Sequence, residues 1–587
     1  MSNLVFDIEA DGLDPTKIHC IVAQDVDTLD VFTFDNTQLE EGYGLLRAAK
    51  KLIGHNIIGY DLPAIKKIAG IDLSDKQIVD TLVLSRLFKP PREGGHGLES
   101  WGYRLKFAKG DFGEQDDAWD YYRPEMLKYC QRDVELNTKV YQQLRVESRG
   151  YTPQAVKLEH DVAWIIDKQR DNGFKLDVKK AMLMVAMFQE KLDATESEVH
   201  ETVKPKVETQ ILKPQYTKTG AIAKTAKDQH DKGVRLTDEE WTAMLNTDKP
   251  VTRKTYTEFN LGSRKQIGDM LIAAGWVPKN FTPTGQPIVD EGTLNKVKGI
   301  PEAALISTYL MLQKRLAQVN SWLKTVEDDG RVRGYVNPNG AVTGRMTHSH
   351  PNMAQIPSSN SPYGKECRAC WTVETGNKLV GIDASGLELR MLAHYMNDEA
   401  YTNEILNGDI HTANQKLAGL ESRNQAKTFI YALLYGAGDA KLGTVAGQSK
   451  ARGRQMRSQF LDSLPSFKSL VQRVQRESKK GFLKGLDGRK LAIRSEHAAL
   501  NTLLQSAGAI VMKEALVILD DYFKESKLTA KFVANVHDEW QIECKESDAK
   551  QVGELGVQAI VQAGINLKLN CPLDGDYNIG DGWHETH

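Results

Sequence analysis

Asp383 closes the apolar run Leu379-Val-Gly-Ile-Asp383, and Asp538-Glu539 interrupts a second one, Ala530-Lys-Phe-Val-Ala-Asn-Val-His-Asp-Glu-Trp-Gln-Ile-Glu-Cys544. The second run reads as strand, tight turn, strand. Successive side chains on a regular strand point to opposite faces, so Asp538 and Glu539 serve one site only if a turn separates them. Hard divalent cations take oxygen ligands, commonly one or two carboxylates completed by substrate phosphates. Two aspartates at strand ends could therefore carry a pair of such ions about 3.5–4 Å apart, clamping an in-line phosphoryl transfer. Acids at strand ends also serve solubility, and these two alone allow either reading.

A second group of acids lies near the N-terminus. Leu4-Val-Phe-Asp7-Ile-Glu9-Ala-Asp11-Gly12 is a short strand running into an Asp-Gly turn. Asp7 and Glu9 are two residues apart, hence on one face and about 6.6 Å from each other along the strand. Asp61 follows in His55-Asn56-Ile-Ile-Gly-Tyr-Asp61, and Asp133 in Tyr129-Cys-Gln-Arg-Asp133, where a spacing of four stacks Tyr129 and Asp133 on one helix face. Crowded like charges resist joint ionisation, at roughly 4 kcal/mol per pair for a separation of about 4 Å and an effective dielectric near 20. Four converging acids need cations. Asp7, Glu9, Asp61 and Asp133 thus predict a two-metal nuclease site in which Tyr129 orients the attacking water. Asp80, beside Thr81 at the head of an apolar helix, reads as a helix cap and not as a fifth acid.

A third pattern is cationic and aromatic. Arg423, Lys427, Tyr431 and Tyr435 recur every four residues toward Gly436, forming one drifting stripe on a helix that ends at glycine. Guanidinium, ammonium, ring, ring is the order that suits a nucleoside triphosphate lying along the helix. An amphipathic helix with a basic surface end is the plainer alternative. His411 precedes it in Gly408-Asp-Ile-His-Thr412. Two turn-rich segments, around Gly344-Arg345 and Pro351-Asn-Met-Ala-Gln355-Ile-Pro357, place Arg345 and Gln355 where such side chains can reach phosphates and groove edges. Gln505 interrupts the apolar face of a long helix opening near Ala498.

The elements that must position these groups need more than one core. At 587 residues the chain calls for two to four domains, and 41% hydrophobic with 26% charged residues is ordinary globular composition. Net charge is −2, but residues 1–150 hold 19 Lys+Arg against 25 Asp+Glu and the remainder 57 against 53. An acidic first domain on a mildly basic body suits a carboxylate-rich metal site followed by a DNA-holding part. The N-terminus lacks the pattern of a signal peptide, and the longest apolar run, Ala181 to Phe188, falls short of a membrane span. An intracellular chain with no membrane contact is expected. Of six cysteines only Cys367 and Cys370 have metal-like spacing, with no second pair nearby, so reduced structural thiols are expected.

Leu158, Val162, Ile165, Ile166 and Gln169 stand at helical spacing, and helical periodicity returns over Ser263 to Trp276 and Glu302 to Val326. Residues 151–335 therefore predict a mainly helical arm. From Lys204 to Arg235 the arm carries eight basic against three acidic residues among Pro, Thr and Gly. That stretch predicts a loop with little core of its own. It reads as solvated, as a basic arm on a DNA backbone, or as a platform for a processivity partner.

From about Val336 onward the motifs resemble those of a family A (DNA polymerase I type) DNA polymerase. Gly381-Ile-Asp-Ala-Ser-Gly-Leu-Glu-Leu-Arg390 is similar to its first metal motif, the Arg423 to Gly436 stripe to its nucleotide-binding helix, and Val536-His-Asp-Glu539 to its second metal motif. The first 145 or so residues resemble the tyrosine-containing DEDD 3′–5′ proofreading exonuclease, including Asp80-Thr-Leu-Val-Leu-Ser-Arg86 and His96-Gly-Leu-Glu-Ser-Trp-Gly-Tyr-Arg-Leu105. The wording resembles that of replicative polymerases of short-tailed, T-seven-like bacteriophages.

The resemblance implies an α/β multidomain right-hand fold. A ribonuclease-H-like exonuclease domain would span 1–148, a thumb 149–335 with a basic insertion at about 204–257, the palm 336–391 and 501–587, and the fingers 392–500. It implies two magnesium ions on Asp383, Asp538 and the Ala384 carbonyl, with Glu539 near the primer end, and two more on the N-terminal acids. His411, Arg423 and Lys427 would hold the triphosphate, Glu388 would crowd the ribose 2′ position, and Tyr431 would favour dideoxynucleotides. Tyr435 would stack near the templating base, while Arg345, Gln355, Gln505 and His537 would contact DNA. The implied partners are primer–template DNA and dNTPs, with a phage helicase-primase and single-stranded DNA-binding protein, in the cytoplasm of an infected bacterial host. Thioredoxin recruitment is not carried over, because the corresponding thumb region is short and differently worded. A single-subunit RNA polymerase and a catalytically silent DNA-binding homologue are the alternatives; Glu388 and the intact acids weigh against them.

Overall fold

A computed structural model describes residues 2–115, 117–445 and 447–586. The chain forms two compact units, residues 1–177 with 325–587, and Val178–Lys324.

The larger unit begins with a five-stranded sheet. Its order is Val31–Phe34, Ile18–Asp25, Asn3–Ala10, Lys51–Gly54, Gln77–Asp80, antiparallel on one side of Asn3–Ala10 and parallel on the other. Alternation along Asn3–Ala10 sends Leu4, Phe6 and Ile8 into a core with the helices Leu39–Ala48 and Asp61–Ala69. Val5 goes to the other face, beneath the helix Pro124–Glu147 and its Met126, Cys130 and Val134. Asp7 and Glu9 share the parity of Val5, so they project toward that same helix. Asp80 caps the helix Thr81–Phe88 as expected, accepting from the Leu82 and Val83 N–H groups and also from Asn56 N–H at 3.0 Å.

Beyond this domain the unit is built on a four-stranded antiparallel sheet ordered Ala530–Val536, Glu539–Lys545, Asn377–Ala384, Gly575–Gly580. Helix Ala549–Asn566 lies directly on it. A Cβ at Gly556 would come within 2.2 Å of the Ile382 side chain, so only glycine permits that approach. The same is true of Gly381, where a Cβ would meet the Thr586 carbonyl oxygen at 2.2 Å and the C-terminal tail crosses the sheet. Residues 399–478 are helical throughout apart from short connections, ending in the small hairpin Phe482–Lys484 with Lys490–Ala492.

Helix Ala499–Glu525 runs through the large core. Within the span Glu496–Glu525 it is long and apolar enough to cross a membrane, although no single unbroken apolar run in the sequence is. Most of that apolar surface is buried inside the fold, among Leu504, Ala507, Ile510 and Val511, as in the core helix of a globular protein.

The second unit is narrower than the arm predicted over 149–335. Helix Pro153–Asn172 buries Val162, Ile165 and Ile166 in the large core, and Phe174–Leu176 joins a three-stranded sheet with Arg331–Val332 and Trp371–Thr372. The predicted loop from Lys204 to Arg235 is also corrected. Lys206–Tyr216, Ile222–Lys227, Gly233–Arg235 and Val251–Thr257 form a four-stranded sheet. Helix Asp238–Thr247 completes a small core of Leu212, Ala226, Leu236 and Met244. Frequent Lys and Thr masked the alternation, because only one face of each strand is covered.

Three segments of the larger unit meet at buried charges. Glu159, 1% exposed, accepts from Lys513 Nζ at 2.6 and 2.8 Å and from Arg489 NH1 at 2.6 Å, while Arg489 also pairs with Asp487 at 2.6 Å. Burial draws Lys513 down to about 8. Removing one partner of such a cluster leaves uncompensated charge, so Glu159→Gln is expected to lower unfolding free energy on the order of 3–5 kcal/mol. Urea denaturation of the two proteins checks this.

Candidate active sites

The strand ends of the C-terminal sheet carry the predicted acids. Asp383 stands opposite Glu539 and Asp576 across its two neighbouring strands, and the Ala384 N–H donates to the Asp538 carbonyl oxygen at 3.1 Å. His537 and Asp538 form the two-residue turn of the hairpin, with His537 at φ 58°. This turn is what separates Asp538 from Glu539. Both aspartates open onto one cleft of about 450 Å³.

Other walls of that cleft come from separate elements. Glu388 stands in the first turn of helix Leu387–Met396, Tyr431 and Tyr435 at the end of helix Arg423–Leu434, and Arg345 in the turn before strand Thr347–Ser349. Tyr435 donates its hydroxyl to Glu388 Oε2 at 3.0 Å, and Glu388 Oε1 is buried with no partner. Burial raises the Glu388 carboxyl above its ordinary value, and burial beside Glu388 raises the Tyr435 phenol to about 12. Burial and the Arg345 guanidinium lower His537.

The cationic stripe leads away from the cleft. Ser422 and Gln425 form a capping box that starts its helix, and Gly436, at φ 75°, follows its end. Rings of Tyr431 and Tyr435 stack 6.5 Å apart at 29°, and His411 lies 6.3 Å from Tyr431. Burial, then Arg423 and Lys427, lowers His411. Arg423 pairs with Asp409 at 2.7 Å, and both Arg423 and Lys427 are exposed.

Besides His411, Arg423 and Lys427, three more predicted residues do not line the cleft. Gln355 is exposed in the short turn Met353–Gln355, and Gln505 is half-buried one position after Leu504, which does line it. Glu539, the third, is buried. Its Oε1 accepts from Trp583 Nε1 at 2.6 Å and Gln541 Nε2 at 2.5 Å, and the carboxylate is 5% exposed. Directly after the turn, Glu539 is tied to the C-terminal tail through Trp583.

The N-terminal acids converge as predicted. Asp7 is half-buried, whereas Glu9, Asp61 and Asp133 are buried. Asp61, first residue of its helix, accepts from the Ile8 N–H at 3.2 Å, which ties it to the strand between Asp7 and Glu9. Burial, reinforced by the neighbouring acids, raises Asp7 and Glu9 well above the carboxylate range, and burial lifts Asp61 to about 7. Lys109, absent from the sequence reading, bonds Asp133 Oδ2 at 2.8 Å and lies 4.9 Å from the Tyr129 ring centre. Burial opposes its charge, but Asp133 outweighs that and holds Lys109 above its ordinary value. Glu9 Oε1 and Asp133 Oδ1 are buried with no hydrogen-bond partner. Buried anionic oxygens without donors suit divalent cations.

Residues 231–585 match the family described as DNA polymerase family A. The chain is 36% identical to the DNA-directed DNA polymerase of Enterobacteria phage T3 and 35% identical to that of Escherichia phage T7, each over the whole of both chains. The chain belongs to DNA polymerase family A. Each of these alignments runs over 703 positions, well beyond 587 residues, so both relatives carry segments that this chain lacks.

The fold agrees with that membership. It matches the POL domain of Pol1 from M. smegmatis, a complex with DNA primer-template and dNTP, at a TM-score of 0.78 and 17% identity over 99% of this chain and 95% of that one. The architecture is the right-hand polymerase fold, and with family A relatives along its whole length the chain is a DNA-directed DNA polymerase. A single-subunit RNA polymerase is set aside on the same ground. Family A enzymes use divalent metal ions, which the cleft aspartates and the orphaned N-terminal oxygens fit.

Lys109 and Asp409 are the site neighbours that sequence reasoning missed. Asp409 caps helix Ile410–Ala418, a role readable from Asp two residues before His411. Lys109 sits in an irregular segment with no periodic signal.

Asp61 supplies a pH test. Its folded value near 7 lies above the unfolded value of about 4, so between those values the folded protein binds more protons than the unfolded chain. Metal-free stability therefore falls as pH rises through that window. Asp61→Asn keeps an acceptor for Ile8. With chelator present it is expected to melt several degrees above the parent at pH 8, the gap closing toward pH 4; thermal melts across pH check this.

Proposed function

We propose that the C-terminal cleft extends a primer and the N-terminal pocket trims it, making the chain a replicative phage polymerase with 3′–5′ proofreading. The observation that carries this reading is the meeting of Asp383, Asp538, Glu388 and the tyrosine end of the cationic helix around one cleft. Asp383, Asp538 and the Ala384 carbonyl would hold two magnesium ions, and Asp7, Glu9, Asp61 and Asp133 two more. Such ions neutralise phosphate charge and make an attacking oxygen more nucleophilic.

The protein's own groups do the rest. Arg423, Lys427 and His411 bind the triphosphate of an incoming dNTP, orienting its α-phosphate for in-line attack by the primer 3′-hydroxyl with release of pyrophosphate. Asp409 holds Arg423 until phosphate replaces it. Glu388, fixed by Tyr435, fills the space a ribose 2′-hydroxyl would need. Arg345 and His537 meet the primer–template end, with Gln355 and Gln505 beside it. At the other pocket Tyr129 orients water toward the terminal phosphodiester, and Lys109 neutralises Asp133 while the pocket is empty of substrate.

In this reading 1–148 is the exonuclease domain, 336–391 with 501–587 the palm, 392–500 the fingers and 149–335 the thumb, whose separate part is Val178–Lys324. The substrates are primer–template DNA and dNTPs in the cytoplasm of an infected bacterium.

Asp538→Asn is expected to lower extension by about 10²–10³-fold or more while single-strand degradation persists. Asp7→Ala should do the reverse. Primer-extension and degradation assays on both variants test this; loss of both activities in either folded variant would refute the two-site assignment. Glu388→Ala is expected to raise ribonucleotide incorporation by roughly 10–200-fold, the size of one lost steric clash, read as the ratio of rNTP to dNTP kcat/KM.

A further inference from the structure

The N-terminal pocket contains a ligand of a different chemical kind. Cys130, fully buried on helix Pro124–Glu147, faces the strand that carries Asp7 and Glu9. Its thiol donates to the Asp7 carbonyl oxygen at 3.5 Å, and Sγ lies 4.0 Å from Asp7 Oδ2. Among the described residues, the group whose ligand atoms all fall within 4.8 Å of one another is Asp7, Glu9 and Cys130. Glu9 is 8% exposed, and its Oε1 is buried without a partner. Of the other two acids, Asp133 pairs with Lys109 through Oδ2 alone and Asp61 accepts from the Ile8 N–H.

Two carboxylates and one sulfur form a set that magnesium does not use, since a hard ion takes oxygen. Zinc-class ions accept such a mixed set, with metal–sulfur bonds of about 2.3 Å and metal–oxygen bonds of about 2.0–2.2 Å. For sites of nitrogen, oxygen and sulfur donors, soft thiolate selects zinc over the oxygen-seeking ions.

We propose that Cys130 gives the acid pocket a second, thiophilic mode, in which Asp7, Glu9 and the Cys130 thiolate hold a zinc-class divalent cation that excludes magnesium and stops strand trimming. As the metal–sulfur bond forms, the Cys130 thiol releases its proton to solvent; nothing is oxidised or reduced. The ion takes Asp7 and Glu9 out of the constellation that trimming requires, whereas the C-terminal cleft has no thiol on its walls and keeps extending. The proposal rests on the nuclease reading of this pocket.

The test uses the full chain and cadmium ion as the spectroscopic probe of the zinc class. The thiolate-to-cadmium charge-transfer band is followed in the ultraviolet for the parent, Cys130→Ser and Asp7→Asn, each checked for folding by circular dichroism. Reading the parent minus each variant cancels cysteines elsewhere in the chain. A band component lost in Cys130→Ser, with binding weakened about tenfold or more in both variants, supports the site. Identical spectra and affinities in parent and Cys130→Ser overturn it. A parallel arm adds zinc at equal magnesium and follows single-strand degradation against primer extension. Selective loss of degradation in the parent but not in Cys130→Ser supports the proposal, and equal inhibition of both proteins overturns it. Absence of degradation in magnesium alone would instead sink the nuclease reading, and with it the consequence for trimming, whatever the cadmium band shows.

Discussion

Carboxylates brought together in a partly dry pocket repel one another, and no contact between the acids themselves returns that free energy. The backbone has to hold them. In the C-terminal sheet it does so through the antiparallel register that sets Asp383 opposite Glu539, and through the bond from the Ala384 N–H to the Asp538 carbonyl. In the N-terminal domain the Ile8 N–H draws Asp61 onto the strand bearing Asp7 and Glu9. Both centres rest on strand positions that hydrogen bonding fixes before any cation arrives.

The two pockets answer the same repulsion differently. The N-terminal acids are enclosed, so burial pushes their carboxyl groups up and a lysine stands in as counter-charge. Asp383 is exposed at an open cleft, where water screens it and a substrate with its own phosphate oxygens can enter. Under the proposed reading, the enclosed pocket takes a strand end and the open cleft a triphosphate beside a duplex.

A further constraint is the buried cluster of Glu159, Arg489, Lys513 and Asp487. Glu159 belongs to the helix that leaves the N-terminal domain, and Thr152 just before that helix bonds the Asp487 carbonyl. A Cβ at Gly344 would lie 3.0 Å from Arg489 NH1, so the turn that presents Arg345 rests on this cluster. Paired buried charges fix the mutual placement of the linking helix, the hairpin and helix Ala499–Glu525 more sharply than apolar contact would. Glu159, the Asp487–Arg489 pair and Lys513 come from separate stretches of the sequence, with no periodic pattern joining them.

Short-range rules made much of this protein readable from its residues. Alternation placed Asp7 and Glu9 on one face, a spacing of four joined Tyr129 to Asp133, and a turn was required between Asp538 and Glu539. The Asp80 cap and the helix ending at Gly436 were legible for the same reason, since caps and turns are decided by a few neighbouring residues. Family resemblance then supplied the proposed order of the domains. Tertiary structure alone decided which acids face a cleft. Glu539 went to Trp583 and Gln541, Lys109 came to Asp133, and the lysine-rich stretch after Lys204 became a sheet over a four-residue core. Those outcomes depend on partners tens to hundreds of residues away, and local periodicity carries no information about which distant donor or apolar face a side chain will meet.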